Sequence, residues 1–144
     1  MFGFFYFGAD FEINELRDIL NHIFENSEVM EEDHKLIVSC NGFTLSFSTG
    51  DPGIMFAAED YDIDLKFCCY IDIIPSYFNW ANELITFTGE ILKETEGDCI
   101  LELNDKQILL RKNSVITVDD KKLSGTLEFP FMKLGLDFRY GDID

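Results

Sequence analysis

The segment from residue 35 to residue 48 limits the possible folds most, because apolar and polar residues alternate on both sides of Asn41-Gly42. Asn-Gly supplies the two positive-φ residues that a tight hairpin turn needs. One face of the ribbon is apolar and the other carries small polar residues, so the pattern predicts a β-hairpin with one face toward water. The apolar positions are Leu36, Val38, Cys40, Phe43, Leu45 and Phe47.

Two stretches keep the three- and four-residue spacing of amphipathic helices. The first helix is predicted over about residues 14–26, starting at Asn14 or earlier, with Asp10 and Asn14 as competing N-caps. The second is predicted over about residues 75–96, with Gly97 as its C′ residue.

Alternating and continuous apolar runs predict the remaining strands. In residues 60–73 the odd positions are apolar, and the even row, which begins with Asp60, Asp62 and Asp64, is expected to face water. Residues 119–130 are interpreted as a looser connection, and the acidic tail after Tyr140 as frayed. Beyond the hairpin, strands are predicted at residues 2–7, 54–58, 61–73, 99–103, 107–112, 115–118 and 134–140, with a turn at Asn104-Asp105.

The predicted elements follow the order β-α-β-β-β-β-α-β-β-β-β. Strands joined by tight turns between two helices imply an α+β fold, in which a mostly antiparallel, twisted sheet of about seven to nine strands carries two helices on one side. The length of 144 residues fits one domain, spanning residues 1–144.

The net charge of −17 restricts the possible partners. Binding a phosphate backbone needs a basic patch, so we expect neither nucleic acid nor an anionic membrane as a partner. A basic protein would be attracted, and its encounter with the chain accelerated. Solubility alone is the alternative explanation, although −17 exceeds the magnitude of about 2–8 that keeps a small domain soluble.

The chain carries no sign of a membrane or secreted setting. No stretch approaches the length of about 20 apolar residues that spans a bilayer, and the apolar start lacks the basic residues of a signal peptide. We expect a cytoplasmic protein whose cysteines are reduced core or near-core residues. His22 and His34 lack ligand spacing, so neither a metal site nor a cofactor is expected. The cysteines are Cys40, Cys68, Cys69 and Cys99.

Motifs for catalysis are missing, so we expect no enzyme activity. The sequence contains no phosphate-binding glycine loop and no nucleophile elbow. Asp60, Asp62 and Asp64 look like the start of a calcium loop, but Leu65 and Ile71 stand where such a loop needs Gly and Glu. These acids are therefore either a solvated strand face or a contact strip for a basic partner. The candidate partner-binding residues are Glu59, Asp60, Asp62, Asp64, Asp119 and Asp120.

A long helix followed by a two-stranded segment is similar to a known pattern. It begins at Tyr77-Phe78-Asn79-Trp80, passes through Glu96-Gly97-Asp98, and continues in residues 99–104 and 108–112. This stretch resembles the SitI-type immunity proteins of bacterial contact-dependent toxin systems. The resemblance implies a cytoplasmic protein that neutralises a cognate toxin by binding it, and it implies no catalytic residues.

Three functional hypotheses follow. The first is an immunity protein that binds its toxin by charge-steered docking, with buried aromatic anchors. The alternative is an acidic DNA mimic that inhibits a nucleic-acid-binding enzyme, which needs carboxylates along an extended face at about one per 1.7 Å. The third is a small enzyme or ligand carrier, which would need a deep pocket with convergent polar groups.

Overall fold

The computed structural model describes residues 1–123 and 129–143. The strands are β1 (Phe2–Phe7), β2 (Val29–Glu32), β3 (Lys35–Ser39), β4 (Phe43–Thr49), β5 (Phe67–Ile73), β6 (Cys99–Leu103), β7 (Lys106–Lys112), β8 (Val115–Val118) and β9 (Arg139–Tyr140). The helices are α1 (Ile13–Ile23), α2 (Pro52–Tyr61) and α3 (Trp80–Glu94). Two short 3-10 helices cover Asp120–Lys122 and Phe131–Leu134.

The strands form one sheet in the order β2-β3-β4-β5-β1-β6-β7-β8-β9. Each strand is antiparallel to its neighbour except β9, which runs parallel to β8. The predicted α+β class and mostly antiparallel sheet are confirmed. The aromatic strand β1 lies in the middle, where Phe5 pairs with Cys69 on one side and Leu101 on the other.

One face of the sheet, here called the inner face, carries the main core. Its residues include Phe5, Phe47 and Leu101, which pack in one cluster with Leu20 of α1 and Leu84 of α3. The 3-10 helix Phe131–Leu134 belongs to the same layer. The predicted helices at residues 14–26 and 75–96 therefore cover the same side of the sheet, as expected from their apolar stripes.

The opposite face, here called the outer face, carries α2, which the sequence did not predict. Ile54 and Ala57 of α2 pack against Tyr6, Cys68 and Ile100, whose side chains alternate with those of the inner face. The two predicted helices share one side of the sheet, but the prediction missed this third helix on the other side. Cys68 lies on the row of the strand that was expected to face water, but α2 covers it, so it is buried, as was expected of the cysteines.

Residues 54–58, predicted as a strand, form the middle of α2. The Asp51 carboxylate accepts a hydrogen bond from the Gly53 N–H at 2.7 Å, and Pro52 occupies the first turn. This cap initiates a helix on a short apolar run whose periodicity does not discriminate helix from strand. Asp62 ends the helix in the left-handed conformation. The following strand consequently starts at residue 67, six positions later than predicted.

The hairpin predicted at residues 35–48 is present as β3 and β4, but its glycine has a different role. The loop closes with a hydrogen bond from the Cys40 N–H to the Phe43 carbonyl at 2.9 Å, and Gly42 has no positive φ. A Cβ on Gly42 would overlap the Tyr77 ring, so glycine permits close approach there. A turn with two positive φ angles, at Asp33 and His34, joins β3 to β2, a strand that was not predicted.

Both predicted helix boundaries shift. α1 follows Glu12, whose side chain makes no capping hydrogen bond, so neither Asp10 nor Asn14 is the N-cap. α3 starts at Trp80, and the residue that ends it, Thr95, is extended. Gly97 is not its C′ residue; a Cβ there would overlap the backbone of Gly8. Tertiary contacts therefore override the local end signals.

The closing segment is less regular and better anchored than predicted. Of residues 134–140, only Arg139–Tyr140 is a strand. Up to residue 143 the tail beyond it is not frayed, because Ile143 is only 2% exposed and its N–H donates to the Asp119 carboxylate at 3.0 Å. Asp120–Lys122 forms a 3-10 helix within the connection predicted at residues 119–130, and residues 124–128 of that connection lie outside the described residues.

Candidate functional site

The helix α2 covers only part of the outer face. Beneath it, Cys68 and Ile100 are buried. Farther along β1 and β5, Phe4 is half-buried and Tyr70 is 42% exposed. The alternation of side chains along each strand therefore places a row of large apolar groups partly in solvent, next to the part of the outer face that α2 covers.

Aromatic rings line this open part of the outer face. The ring of Phe4 stacks on that of Tyr6 with centroids 5.7 Å apart, and meets the ring of Phe2 edge-on at 6.1 Å. Across the strand pair, Phe4 lies opposite Tyr70, and their centroids are 5.3 Å apart. On its other side Phe4 pairs with Glu102 of β6. Three strands thus bring two rings and a carboxylate together.

Acidic side chains border these rings. Asp72 lies opposite Phe2 on β5 and is exposed, and Glu102 accepts a hydrogen bond from the Gln107 amide at 3.3 Å. Asp60, at the end of α2, is close enough for its charge to act on Glu102. We call Phe4, Tyr70, Asp60, Asp72 and Glu102 the outer patch.

The electrostatics of the outer patch are those of uncompensated negative charge. Burial raises the pKa of Glu102, and the carboxylates of Asp105 and Asp60 raise it further, although the hydrogen bond from Gln107 opposes the shift. Within residues 1–123 and 129–143, no Lys, Arg or His nitrogen comes within 4 Å of the Asp60, Asp72 or Glu102 carboxylates. The patch is therefore suited to a cationic group.

The acids predicted from residues 59–64 do not form a strand face. Glu59 and Asp60 are exposed at the end of α2, and Asp62 is its left-handed last residue. Asp64 lines a separate small cleft of about 260 Å³, where its N–H donates to the Asp98 carboxylate at 3.3 Å. Only Asp60 of these belongs to the outer patch.

The two remaining candidates differ from each other in exposure. Asp120 is exposed at the start of a 3-10 helix. Asp119 is 3% exposed, binds the Ile143 N–H, and lies 3.8 Å from the Lys122 ammonium. Its carboxylate anchors the chain end and is not available to a partner. Ile143 in turn packs in the cluster beneath α2.

Four residues of the outer patch were missed as site residues. Tyr70 and Asp72 fall on the water-facing row of the predicted strand, so exposure was predictable for both. The role of Phe4 was hidden because β1 is aromatic at almost every position and predicts burial on both faces. Glu102 carried no local signal, since only the strand order places it beside Phe4.

A larger cavity lies at the inner side of the sheet, between the end of α1, the helix α3 and the β3–β4 hairpin. Its volume is about 700 Å³. Asn41, Asn79, Asn82 and Glu83 are among its lining residues. It is separate from the outer patch, because these residues belong to the opposite layer of the domain.

Two general features complete the description. In the described part of the chain, no group of three or more His, Cys, Asp or Glu side chains is placed to hold a metal ion. Over the same residues, no helix combines the length and the apolar character needed to cross a membrane.

The fold defines an α+β domain built on an open, mostly antiparallel nine-stranded sheet. No protein-family model matches the chain, and no curated protein and no solved structure is significantly similar to it.

Proposed function

We propose that this chain is a cytoplasmic immunity protein that binds and neutralises a cognate bacterial toxin through the outer patch. The observation that carries the proposal is the partly exposed contact between Phe4 and Tyr70, bordered by carboxylates that have no cation within 4 Å among residues 1–123 and 129–143. The resemblance of residues 77–112 to immunity proteins supports the same function.

The patch suits a basic side chain of a protein partner. An arginine guanidinium can stack on an aromatic ring and also form paired hydrogen bonds with a carboxylate. Tyr70 and Glu102 both border Phe4, so they offer the two kinds of contact side by side. Tyrosine and arginine are the residues that most often dominate binding energy at protein interfaces.

The net charge would act before contact. With −17 on a small domain, a basic partner is attracted over a distance of about one Debye length, roughly 8–10 Å at physiological salt. Screening should therefore slow association more than it speeds dissociation. A DNA mimic would share this charge, but aromatic rings within the patch interrupt a row of phosphate-like carboxylates and favour a protein partner.

The test uses the cytotoxic domain encoded beside the gene. Growth rescue on co-expression and association rates over a series of NaCl concentrations are compared for three variants. Tyr70→Ala removes the exposed ring, and Asp72→Asn removes one patch charge. Asp18→Asn, on the exposed side of α1, is the matched control because it changes the net charge equally.

We expect Tyr70→Ala and Asp72→Asn to weaken binding by about tenfold or more and the control to leave it near wild type. Association should also slow as NaCl rises. Rescue that is equal for all three variants, or an association rate that ignores salt, would contradict the proposal. Competition by duplex DNA for the same partner surface would support the mimic instead.

A further inference from the structure

The lining of the inner cavity combines polar side chains with aromatic rings. Amide groups of Asn41, Asn79 and Asn82 line it together with Glu83, while Phe87 contributes an apolar surface. A volume of about 700 Å³ lies within the range of about 300–1,000 Å³ found for small-molecule sites. The cavity is therefore large enough for a compact ligand and offers both kinds of contact.

Glu83 is the unusual member of this lining. Its Oε1 accepts a hydrogen bond from the Tyr77 hydroxyl at 3.2 Å. Its Oε2 is shielded from solvent and has no hydrogen-bond partner within residues 1–123 and 129–143. A buried carboxylate oxygen without a donor is costly, so a donor entering the adjoining cavity would be bound favourably.

None of the described groups around Glu83 donates a hydrogen bond to its Oε2. One N–H of the Asn82 amide donates to the Asn79 side-chain oxygen at 2.8 Å, and within the described ranges its other N–H makes no hydrogen bond to Glu83 Oε2. The exposed Lys133 lines the cavity but forms no ion pair with Glu83 within the described ranges. The second carboxylate of the lining, Glu90, has a cation at 3.6 Å, the ammonium of Lys93.

We propose that this cavity binds an alkylguanidinium or alkylammonium group, with Glu83 as the carboxylate that receives it. The charged head supplies the donor that Oε2 lacks, amide oxygens of the Asn residues accept further hydrogen bonds, and the alkyl stem packs on Phe87. Entry requires the Glu83 side chain to turn Oε2 toward the cavity. The head group could belong to a free metabolite or to an Arg or Lys side chain, since the recognised chemistry is the same.

The site is independent of the proposed function. It lies on the inner side of the sheet, and Glu83 and Asn82 belong to α3, whereas the outer patch lies on β1, β5, β6 and α2. A variant of the outer patch that no longer binds the toxin would keep the Glu83 cavity intact, and a variant of the cavity would keep the outer patch intact.

Two probes of equal shape test the charge requirement. n-Butylguanidinium carries the cation, and n-butylurea is its neutral isostere. Each is titrated into the full chain at about 0.15 M NaCl, where contacts between exposed charges are screened, and binding is followed by backbone and side-chain amide NMR. N-acetylarginine methylamide, in which both backbone ends are capped, distinguishes a protein side chain from a free compound as the source.

Three variants locate the site. Glu83→Gln removes the charge while retaining the shape, and Glu94→Gln, exposed on the same helix and outside the cavity, is the matched control. Thr86→Leu places a larger side chain in the lining without altering Glu83, so it tests the cavity if Glu83→Gln folds poorly.

We expect n-butylguanidinium to shift the side-chain amide signals of Asn79 and Asn82. Glu83→Gln should reduce the affinity about tenfold or more, because it removes a charge-assisted hydrogen bond, whereas Glu94→Gln should leave the affinity unchanged. Thr86→Leu should weaken binding as well. Equal binding of n-butylurea, or equal loss in both Gln variants, would overturn the proposal. Tighter binding of the capped arginine points to a protein side chain, and weaker binding to a free compound.

Discussion

The guanidinium of Arg111 donates two hydrogen bonds to Thr95, one to its carbonyl oxygen at 2.9 Å and one to Oγ1 at 3.0 Å. Arg111 lies on β7, whereas Thr95 is the residue at which α3 ends. Further bonds reach the carbonyls of Leu92 at 2.8 Å and Gly97 at 2.7 Å. A strand residue thus satisfies the carbonyl groups that a helix C-terminus leaves unpaired.

Replacing Arg111 should destabilise the protein substantially. Arg111→Met leaves buried carbonyls without donors, and we expect the free energy of unfolding to fall by about 2–5 kcal/mol. Arg111→Lys should recover only part of this loss, because one ammonium cannot reach carbonyls in three directions. Urea unfolding measures both. The control is Lys106→Met, at an exposed position of the same strand, which changes the charge equally and should lower the free energy of unfolding only slightly. A decrease as large as that of Arg111→Met would refute the capping role of Arg111.

Gly89→Ala is expected to destabilise α3, although alanine is normally the better helix former. A Cβ at Gly89 would overlap the carbonyl of Leu134, where α3 packs against the Phe131–Leu134 helix. We predict a loss of about 1–3 kcal/mol from overpacking, against a propensity gain of about 1 kcal/mol. Thermal unfolding of the variant is compared with that of Glu94→Ala, an exposed change on the same helix. A stabilised Gly89→Ala protein would show that the two elements can separate at low cost.

Glu102→Gln should stabilise the free protein near pH 7. Burial, with the charges of Asp105 and Asp60, raises the pKa of Glu102, so the folded state retains the proton to a higher pH than the unfolded chain does. The free energy of unfolding therefore falls as pH rises from about 4.3, the ordinary glutamate value, through the raised folded value. Glutamine still accepts the hydrogen bond from Gln107 but cannot ionise. The free energy of unfolding of the variant should therefore lack this fall with rising pH.

The measurement is urea unfolding across that pH range. Glu25→Gln, exposed and outside the patch, serves as the control and should keep the wild-type slope. An unchanged slope in Glu102→Gln would mean that Glu102 does not titrate as its burial implies. If the outer patch binds a basic partner, the stabilised variant should also bind that partner more weakly, because Glu102 would then serve binding at the expense of stability.

The thiols should be unreactive in the native protein. All four cysteines are free, and burial raises the pKa of Cys99 and of Cys68 to about 12, and that of Cys40 to about 11. The thiolate is the reactive form, so near pH 8 we expect a disulfide reagent to react at least about tenfold more slowly with the native than with the unfolded chain.

Half-buried Cys40 should react first, and Cys40→Ser should remove that phase. Rapid reaction of all four thiols in the native state would instead show that the sheet opens readily.

The acidic composition predicted a cationic partner, but it could not identify the surface. Asp60, Asp62 and Asp64 were grouped because they alternate in sequence, with Glu59 as the neighbour of Asp60, and the helix that Asp51 initiates disperses them. Asp119, equally acidic in sequence, is buried as an anchor for the chain end. Charge counts determine the sign of the field, whereas exposure depends on which elements cover each residue.

Periodicity alone determined which residues of a strand share a face: Phe43, Leu45 and Phe47 are buried as their alternation predicts. In the helical stripes Leu20 of α1 and Leu84 of α3 are buried as well, whereas Phe78, within the helix predicted over residues 75–96, precedes α3 and is 90% exposed. It also predicted the turn at Asn104-Asp105, where both φ angles are positive. Tertiary structure alone decided that β1 inserts between β5 and β6, bringing Phe4 beside Tyr70 and Glu102. The reason is physical: side-chain alternation is a local property of the backbone, whereas the choice of a distant strand partner depends on the packing of the whole core.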